Sequence, residues 1–477
     1  MGIPSYFSYV LKNHHKIINR LSQVKCNQLY IDANSIIYDV IHENTSNIYE
    51  DVYNRIMSII NKLNPEFTFV AFDGVVPLAK MKQQKQRRYK SWLTKQILNT
   101  SNTWNTNAIT PGTTFMNELD EYLKPKFNSN IKFSGSCEYG EGEHKIMDYL
   151  RLNKSNKNVM IYGLDADLIM LGLLNIQHNE NTYLYRETKH FSYLNNIDAL
   201  QDYVFNLNEM SLQIADILHL EKQTAIENYC FMCFLFGNDF MPHHPSLNIR
   251  NNGIPYLLEI FNTLKLNLVS GSTIHWHNFK KLCIALSLTE TERIIENIKW
   301  KQNLKITPLN KADELNILPI KDMDREIYLS QHMDKYYTIF FGQTEENPCN
   351  NYLKMLEWTW NYYNGNCKDD YLYYEFHLAP LFKSIVNYIP CFNEELVIKQ
   401  STIKPSAISQ LIYVLPYEDF TLIPANIDHI IKKYPNLKEM NNPVYYDFCK
   451  FFWEAHTDFK YINFKELMHI HIKTIFY

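Results

Sequence analysis

Seven acidic residues lie in five short blocks between residues 31 and 239 of the 477-residue sequence. They are Asp32, Asp73, Glu141, Glu143, Asp165, Asp167 and Asp239. Carboxylates that fold into one pocket repel one another, by about 4 kcal/mol per pair at about 4 Å and an effective dielectric constant of about 20. A cation must offset this repulsion, and Mg²⁺ and Mn²⁺ prefer oxygen ligands. The acids therefore predict a site for two divalent ions, an arrangement that can support phosphodiester hydrolysis.

The acids follow predicted strands or begin predicted helices. Buried strands are predicted for the apolar runs 28–32, 67–73, 158–163 and 182–186. Helical patterns are found at 51–62, 81–98 and 143–153. Such alternation predicts an α/β fold with a mostly parallel sheet covered on both faces and a site at the carboxyl ends of its strands. Any single acid could instead cap a helix or belong to a turn. Capping alone does not explain five blocks in such positions.

A basic segment follows the second acidic block. On a helix, Lys80, Gln84, Arg87 and Arg88 are spaced i, i+4, i+7 and i+8, which places them on one face. Arginine binds phosphate with two parallel hydrogen bonds, and lysine adds a point charge. This face predicts a site for a terminal phosphate, which carries more charge than an internal diester. The alternative is a basic helix face that simply faces water.

Composition narrows the class of protein. A formal charge of -4 argues against a uniformly basic nucleic-acid binder, so a polyanion would be held by a local patch or through metal ions. The nine cysteines are scattered, and the one close pair, Cys230 and Cys233, lacks the second pair that a zinc site needs. No apolar run reaches the length of about 20 residues that a bilayer requires. We therefore expect a soluble protein with reduced thiols in the cytoplasm, with a nuclear location left open.

The sequence suggests two main regions. We expect a core over residues 1–295 that carries the metal site, then a polar linker over 296–325. Residues 326–477 are rich in aromatic side chains and are expected to form a smaller, mainly helical region that packs on the core.

Five ordered motifs together match a known family. They are Met1 to Pro4, Asp73 to Arg88, Gly140 to Asp148, Gly163 to Leu168 and Phe236 to Pro245. These motifs closely resemble the XRN family of 5′→3′ exoribonucleases over most of residues 1–250. Weaker similarity returns at residues 358–380.

The resemblance implies a PIN/flap-nuclease-like core, two Mg²⁺ or Mn²⁺ ions, and processive release of nucleoside 5′-monophosphates from RNA that carries a 5′-monophosphate. The seven acids would bind the metal ions. The pocket for the 5′-phosphate would consist of Lys80, Gln84, Arg87 and Arg88, and it would exclude capped or triphosphate ends. The expected partner is single-stranded RNA, with a decapping enzyme upstream, and the protein is expected to be a monomer without a membrane contact.

The chain departs from the family where the terminal bases are gripped. Tyr38 stands where the family has a histidine that stacks on a base, and an aromatic ring there can still stack. The family's partner tryptophan is missing near residues 369–372, where Tyr371 or Tyr373 could substitute. Tyr38 is therefore the candidate for base stacking.

Two other functions stay open at this stage. A flap or 5′ nuclease acting on DNA could use the same metal site, although residues 242–252 lack the Gly-rich turn of a helix-hairpin-helix. A catalytically silent RNA-binding scaffold could keep the fold, although such proteins normally lose acids and none of the seven is missing here.

Overall fold

The computed structural model describes residues 2–43, 47–99, 104–163, 165–186, 198, 201–317, 332–399, 404–460 and 462–468. Strands and helices alternate in its first part, and helices dominate the rest. The helices are α1 Tyr6–Asn13, α2 Asn34–His42, α3 Ile48–Leu63, α4 Leu78–Leu98, α5 Thr114–Leu123, α6 Gly142–Leu152, α7 Asp167–Asn175, α8 Leu207–Leu218, α9 Lys222–Cys233, α10 Gly253–Leu264, α11 Trp276–Ser287, α12 Glu290–Asn303, α13 Lys311–Asn316, α14 Tyr336–Phe340, α15 Glu346–Tyr363, α16 Phe382–Tyr388, α17 Ala407–Val414, α18 Asp428–Lys433 and α19 Phe464–Met468. The strands are β1 Ile18–Arg20, β2 Gln28–Asp32, β3 Phe67–Ala71, β4 Ile131–Ser134, β5 Ser155–Tyr162, β6 Asn179–Arg186, β7 Tyr203–Asn206, β8 Val269–Ser270, β9 Thr273–Ile274, β10 Val444–Tyr445 and β11 His456–Thr457.

Seven strands form one mixed sheet in the order β1-β7-β6-β5-β2-β3-β4. The pairs from β6 through β4 are parallel, whereas β7 and β1 join one edge in antiparallel pairs. The four predicted strands correspond to β2, β3, β5 and β6. The predicted α/β class with a mostly parallel sheet is confirmed.

The register brings the carboxyl ends of the central strands to one level. Asp32 at the end of β2 pairs with Ala71 of β3, and Ile31 pairs with Tyr162 of β5. Side chains that follow these strands therefore share one edge of the sheet.

The core lies on both faces of this sheet, as expected for parallel strands. Leu29 and Ile31 of β2 face a cluster formed with α2, α3 and α5. The neighbouring Tyr30 belongs to the opposite face, where its ring meets that of Tyr149 on α6. Tyr149 also stacks on Phe69 of β3, with ring centroids 5.0 Å apart. This packing fixes α6, whose first turn carries two of the candidate acids.

The chain divides into two compact units. The first comprises the described residues of Met1–Val76, Trp104–Cys230 and Asn361–Asn366, and it contains the whole seven-stranded sheet. The second comprises those of Pro77–Thr103, Phe231–Trp360 and Cys367–Tyr477. The boundaries predicted from sequence, with a linker at 296–325, stay a prediction. Part of that stretch is helical, in α12 and α13, and 318–325 lie outside the described residues.

The second unit is mainly helical and rich in buried aromatic side chains, and the prediction of a helical, aromatic-rich region after the sheet is confirmed, whereas its bounds at 326–477 stay a prediction. Trp358 and Trp360 on α15 are fully buried. Their indole N–H groups donate to the carbonyl oxygens of Asp369, at 2.7 Å, and Gly271, at 2.9 Å. A tryptophan N–H buried in this way needs such a partner, so each ring is held in one orientation.

All nine cysteines are free thiols, which agrees with the sequence prediction. Within the described part of the chain, none of the helices has the length and apolar character needed to cross a membrane.

Glu290 in the second unit caps helix α16. Its two carboxylate oxygens accept the backbone N–H groups of Phe382, at 2.8 Å, and Lys383, at 3.1 Å. Burial raises the pKa of this carboxyl to about 7, although both backbone donors act in the opposite direction. The folded protein thus binds the Glu290 proton more tightly than the unfolded chain does. Its contribution to stability is fully present below about pH 4.5 and is lost as pH rises through about 7.

Glu290→Gln is expected to flatten the dependence of the unfolding free energy on pH between about 4.5 and about 7. Glutamine has no proton to lose, and the difference between the two pKa values corresponds to about 3 kcal/mol. Urea unfolding at about pH 5 and about pH 8 measures this difference, with exposed Glu292→Gln on the same helix as the control. If wild type and Glu290→Gln lose the same unfolding free energy between these two pH values, the raised pKa assigned to Glu290 is wrong.

Candidate metal centre

Two central strands each bring an aspartate to the carboxyl edge of the sheet. Asp32 is the last residue of β2, and Asp73 follows β3 by two residues. Asn34, at the start of α2, holds Asp73 with two hydrogen bonds. Its side-chain Nδ2 donates to Asp73 Oδ2 at 2.8 Å, and its Oδ1 accepts the Asp73 backbone N–H at 2.9 Å. The loops after β2 and β3 are therefore fixed to each other.

Helix α6 brings two glutamates to the same edge. Glu141 directly precedes the helix, and Glu143 lies in its first turn. The backbone N–H of Gly142, between them, donates to Asp73 Oδ1 at 2.8 Å. Both glutamates are buried, with exposures of 5% and 6%. The positive end of the helix dipole stabilises carboxylates placed at this position.

Gly142 is the point at which these segments meet. A Cβ atom there would lie 2.7 Å from Asp32 Oδ1, 3.1 Å from the carbonyl oxygen of Ala71 and 3.5 Å from Asp73 Oδ1. Only glycine allows this approach without a shift of its neighbours. Asp32 and Asp73 therefore face the short segment that carries Glu141 and Glu143.

A third side chain lies with the two glutamates. Potential ligand atoms of Glu141, Glu143 and His144 lie within 4.8 Å of one another, and all three residues are buried. His144 is not one of the seven predicted acids, so sequence reasoning missed this grouping. With Asp32 and Asp73 facing the same segment, the donors are mainly carboxylate oxygens, which fits a hard divalent cation such as Mg²⁺ or Mn²⁺.

Tyr362 holds Glu141 in place. Its hydroxyl donates to Glu141 Oε1 at 3.0 Å, and its ring lies 4.1 Å from the ring of His144, centroid to centroid. His144 Nε2 lies 4.0 Å from the same Glu141 oxygen. Sequence reasoning missed Tyr362 as well, because it lies 221 residues beyond Glu141 and belongs to no acidic block.

Tyr362→Phe is expected to weaken Mn²⁺ binding by about 10-fold, because a hydrogen bond that orients a ligand carboxylate is lost while the ring is kept. Isothermal titration calorimetry of the metal-free protein measures the affinity. Tyr363→Phe is the matched control, since the Tyr363 ring also contacts His144, at 6.0 Å. Equal affinities of the Tyr362→Phe protein and wild type would remove Tyr362 from this role.

The block that follows β5 places its two aspartates differently. Asp167 begins α7 and is 4% exposed, whereas Asp165 is exposed to solvent. A Cβ atom on Gly163, at the end of β5, would lie 3.5 Å from the Cβ of Asp32, so this block adjoins the end of β2. At position 2, a Cβ would lie 1.5 Å from Asp167 Oδ1, so Gly2 packs directly against that carboxylate.

The seventh acid, Asp239, belongs to the second unit. There its Oδ2 accepts a hydrogen bond from Lys80 Nζ at 2.7 Å, with side-chain exposures of 4% and 11%. Burial alone would raise the pKa of Asp239, but the charges of Lys80 and Arg87 and the Lys80 hydrogen bond hold it below its usual value. A predicted phosphate ligand and a predicted metal ligand thus form one buried ion pair.

The other predicted phosphate ligands share a face of α4 in the second unit. Arg87 is exposed, and Arg88 Nη1 donates to Gln84 Oε1 at 3.4 Å. The base-stacking candidate Tyr38 lies on α2 in the first unit and is 37% exposed. Tyr371, considered as a substitute for the missing tryptophan, is 8% exposed, which indicates a packing role.

An α/β sheet whose carboxyl edge gathers carboxylates defines a protein with a candidate metal centre. The model for the XRN 5'-3' exonuclease N-terminus matches residues 1–188, and the model for the Xrn1 helical domain matches residues 219–311. The chain belongs to the XRN 5'-3' exonuclease family.

Curated relatives match over much of this chain. The 5'-3' exoribonuclease 1 of Homo sapiens is 27% identical over 544 residues, which cover 90% of this chain and 31% of the relative. The 5'-3' exoribonuclease 1 of Saccharomyces cerevisiae is 33% identical over 342 residues, which cover 60% of this chain and 22% of the relative. The chain therefore spans less than a third of the length of either relative. Among solved structures, the catalytic core of Rad2 in complex with a DNA substrate aligns with a TM-score of 0.36 and 14% identity, covering 66% of this chain and 84% of that chain.

Proposed function

We propose that the chain is a metal-dependent 5′→3′ exoribonuclease that degrades RNA with a 5′-monophosphate end to nucleoside 5′-monophosphates. The observation that carries the proposal is the convergence of Asp32 and Asp73 on the segment from Glu141 to Glu143, in a region that matches the exonuclease model of the family. Membership of the family makes RNA the favoured polymer.

Two Mg²⁺ or Mn²⁺ ions are the proposed cofactors. The acids proposed to hold them are Asp32, Asp73, Glu141, Glu143, Asp165, Asp167 and Asp239. When bound, such ions supply a nucleophilic water at neutral pH and stabilise negative charge on the leaving 3′-oxygen. The buried acids contribute by holding their oxygens in place before substrate arrives. Asn34 and Tyr362 contribute by fixing Asp73 and Glu141.

The 5′ end is proposed to be recognised by charge. Lys80, Gln84, Arg87 and Arg88 would bind the terminal phosphate, which carries more negative charge than a diester inside the strand. A bulkier end, such as a cap or triphosphate, would fit less well among these side chains. Tyr38, with its exposed ring, would stack on a base near the 5′ end.

The proposed substrate is single-stranded RNA, and a reaction that exposes 5′-monophosphate ends, such as decapping, must supply it. We propose a cytoplasmic role in RNA decay, with a nuclear role as the alternative location. A monomer is the proposed functional form.

The test is a time course on RNA that is labelled on the base of its first nucleotide and carries a monophosphate, a triphosphate or a hydroxyl at its 5′ end, with Mg²⁺ or with EDTA. Labelled mononucleotide is expected as the first product from monophosphate RNA, with at least about tenfold slower release from triphosphate RNA and none in EDTA. Equal rates on the monophosphate and triphosphate ends would overturn the assignment of the phosphate pocket. A flap DNA digested in parallel separates this activity from that of a DNA nuclease, and faster cleavage of the flap would favour the latter.

A further inference from the structure

Helix α4 carries the proposed phosphate ligands. Its own apolar side chains do not determine how the helix is rotated about its long axis. It contains seven basic residues and no acidic residue. Its buried apolar residues are Leu78, Ala79 and Met81 in the first turn and Tyr89 further along. Burial of an apolar stripe normally sets which face a helix presents. Beyond the first turn of α4, other contacts must do this.

Most of those contacts come from residues 410–459 of the second unit, which we call the C-terminal clamp, while Lys82 Nζ donates to the carbonyl oxygens of Tyr374, at 2.6 Å, and Glu375, at 3.2 Å. Gln86 makes a reciprocal pair with Thr457, since its Nε2 donates to the Thr457 carbonyl at 3.3 Å and its Oε1 accepts the Thr457 N–H at 3.2 Å. Lys90 Nζ donates to the carbonyl oxygens of Trp453 and Ala455, both at 2.7 Å. These bonds join α4 to the backbone of one short stretch, residues 453–457.

Aromatic contacts continue the same side of the helix. The Lys85 ammonium lies 4.6 Å from the ring centres of both Tyr413 and Phe459. The Tyr89 hydroxyl lies within hydrogen-bond distance of the carbonyl oxygens of Met440, at 3.0 Å, and Asn442, at 3.1 Å. Trp92 adds a further bond, from its Nε1 to Glu418 at 2.9 Å.

The clamped residues and the proposed phosphate ligands occupy opposite sides of α4. At about 100° per residue, Lys80, Gln84, Arg87 and Arg88 fall within an arc of about 100°. The clamped side chains, from Lys85 to Trp92, are centred on the other side of the helix. One clamp residue also reaches the phosphate face directly, because Gln410 Nε2 lies 3.4 Å from Gln84 Oε1. Arg88 donates to the same oxygen, so Gln84 is held from two sides.

We propose that the C-terminal clamp is a positioning element for recognition of the RNA 5′ end. It fixes the rotation of α4 so that the four phosphate ligands face one way, and Gln410 orients Gln84 among them. The clamp lies beyond residue 311, where the match to the second family model ends. This proposal rests on the proposed function. It assigns the preference of the enzyme for one kind of RNA 5′ end to a part of the chain that carries none of the acidic motifs.

The test compares the double variant Gln86→Leu/Lys90→Met with Lys95→Met in the full chain. Both proteins lose one positive charge from α4, but among the residues that the structure describes Lys95 makes no hydrogen bond or ring contact with the clamp. For the double variant we expect KM for 5′-monophosphate RNA to rise about tenfold with kcat changed less than about twofold. Its turnover of 5′-hydroxyl RNA is expected to equal that of wild type. The preference for the monophosphate end therefore falls about tenfold, whereas Lys95→Met retains it.

Three controls make the outcome decisive. Mn²⁺ affinity at the metal centre in the first unit is expected to be unchanged, and faster amide hydrogen exchange over residues 84–92 is expected in the double variant only. Gln410→Leu removes the direct contact to Gln84, and it is expected to reduce end preference even if the double variant fails to fold. If wild type prefers monophosphate RNA and these variants keep that preference, the proposed role of the clamp is wrong. The proposed function then still holds. A wild type without any end preference overturns the proposed phosphate pocket first.

Discussion

Glu143→Gln is expected to slow the release of mononucleotides from 5′-monophosphate RNA by about 10³-fold. The change keeps the shape of a buried side chain in the first turn of α6 but removes one negative charge from the candidate metal centre. A loss of about 4 kcal/mol of transition-state stabilisation corresponds to this factor. Single-turnover kinetics at saturating Mg²⁺, together with Mn²⁺ titration by calorimetry, measures the effect on chemistry and on binding separately.

The same substitution is expected to stabilise the metal-free protein. Glu143 lies close to Glu141 and faces the aspartates, so a neutral side chain relieves repulsion between like charges. A gain of about 1 kcal/mol would raise Tm by about 2–4 °C in EDTA. Glu121→Gln, an exposed position on α5, serves as the control for both measurements. Full activity together with an unchanged Tm would remove Glu143 from the metal centre.

Lys80→Met is expected to destabilise the metal-free protein by about 3–5 kcal/mol. The substitution leaves the Asp239 carboxylate, only 4% exposed, without the ammonium group that lies 2.7 Å from it. Removing one partner of a buried ion pair leaves an uncompensated charge, which costs far more than the pair contributes. Urea unfolding in EDTA measures the loss.

A double-mutant cycle separates the interaction energy of the Lys80–Asp239 pair from the effects of the two single substitutions. Lys80→Met/Asp239→Asn removes both charges and is expected to recover most of the stability that Lys80→Met loses. Lys12→Met, at an exposed position on α1, controls for loss of a lysine. If the effects of the two single substitutions on the unfolding free energy simply add, the buried pair has no net interaction energy.

The central part of the fold could be predicted from sequence because its signals are local. The middle of the run 28–32, from Leu29 to Ile31, is apolar at successive positions since strands inside a parallel sheet are buried on both faces. The aspartates that follow β2 and β3 then fall at the carboxyl edge by the geometry of the sheet alone. The helix predicted at 81–98 is present as α4, which begins three residues earlier at Leu78.

The contacts that complete the candidate site could not be predicted because their partners are far apart in the chain. Lys80 and Asp239 are 159 residues apart, and Glu141 and Tyr362 are 221 apart. Lys90 bonds to Trp453 across 363 residues, whereas Arg87 is exposed. The basic sequence from Lys80 to Lys90 does not distinguish these two residues. Periodicity identifies a face of a helix, but only tertiary packing decides what covers it.

The close approach of Gly2 to Asp167 has a practical consequence. Gly2 adopts φ +53°, and a Cβ there would lie 1.5 Å from Asp167 Oδ1. A residue with a side chain at position 2 would therefore push against the first turn of α7, one of the helices that begin beside the acidic edge of the sheet. A purification handle or fluorescent protein joined directly to Gly2 would crowd the same spot and press on Asp167.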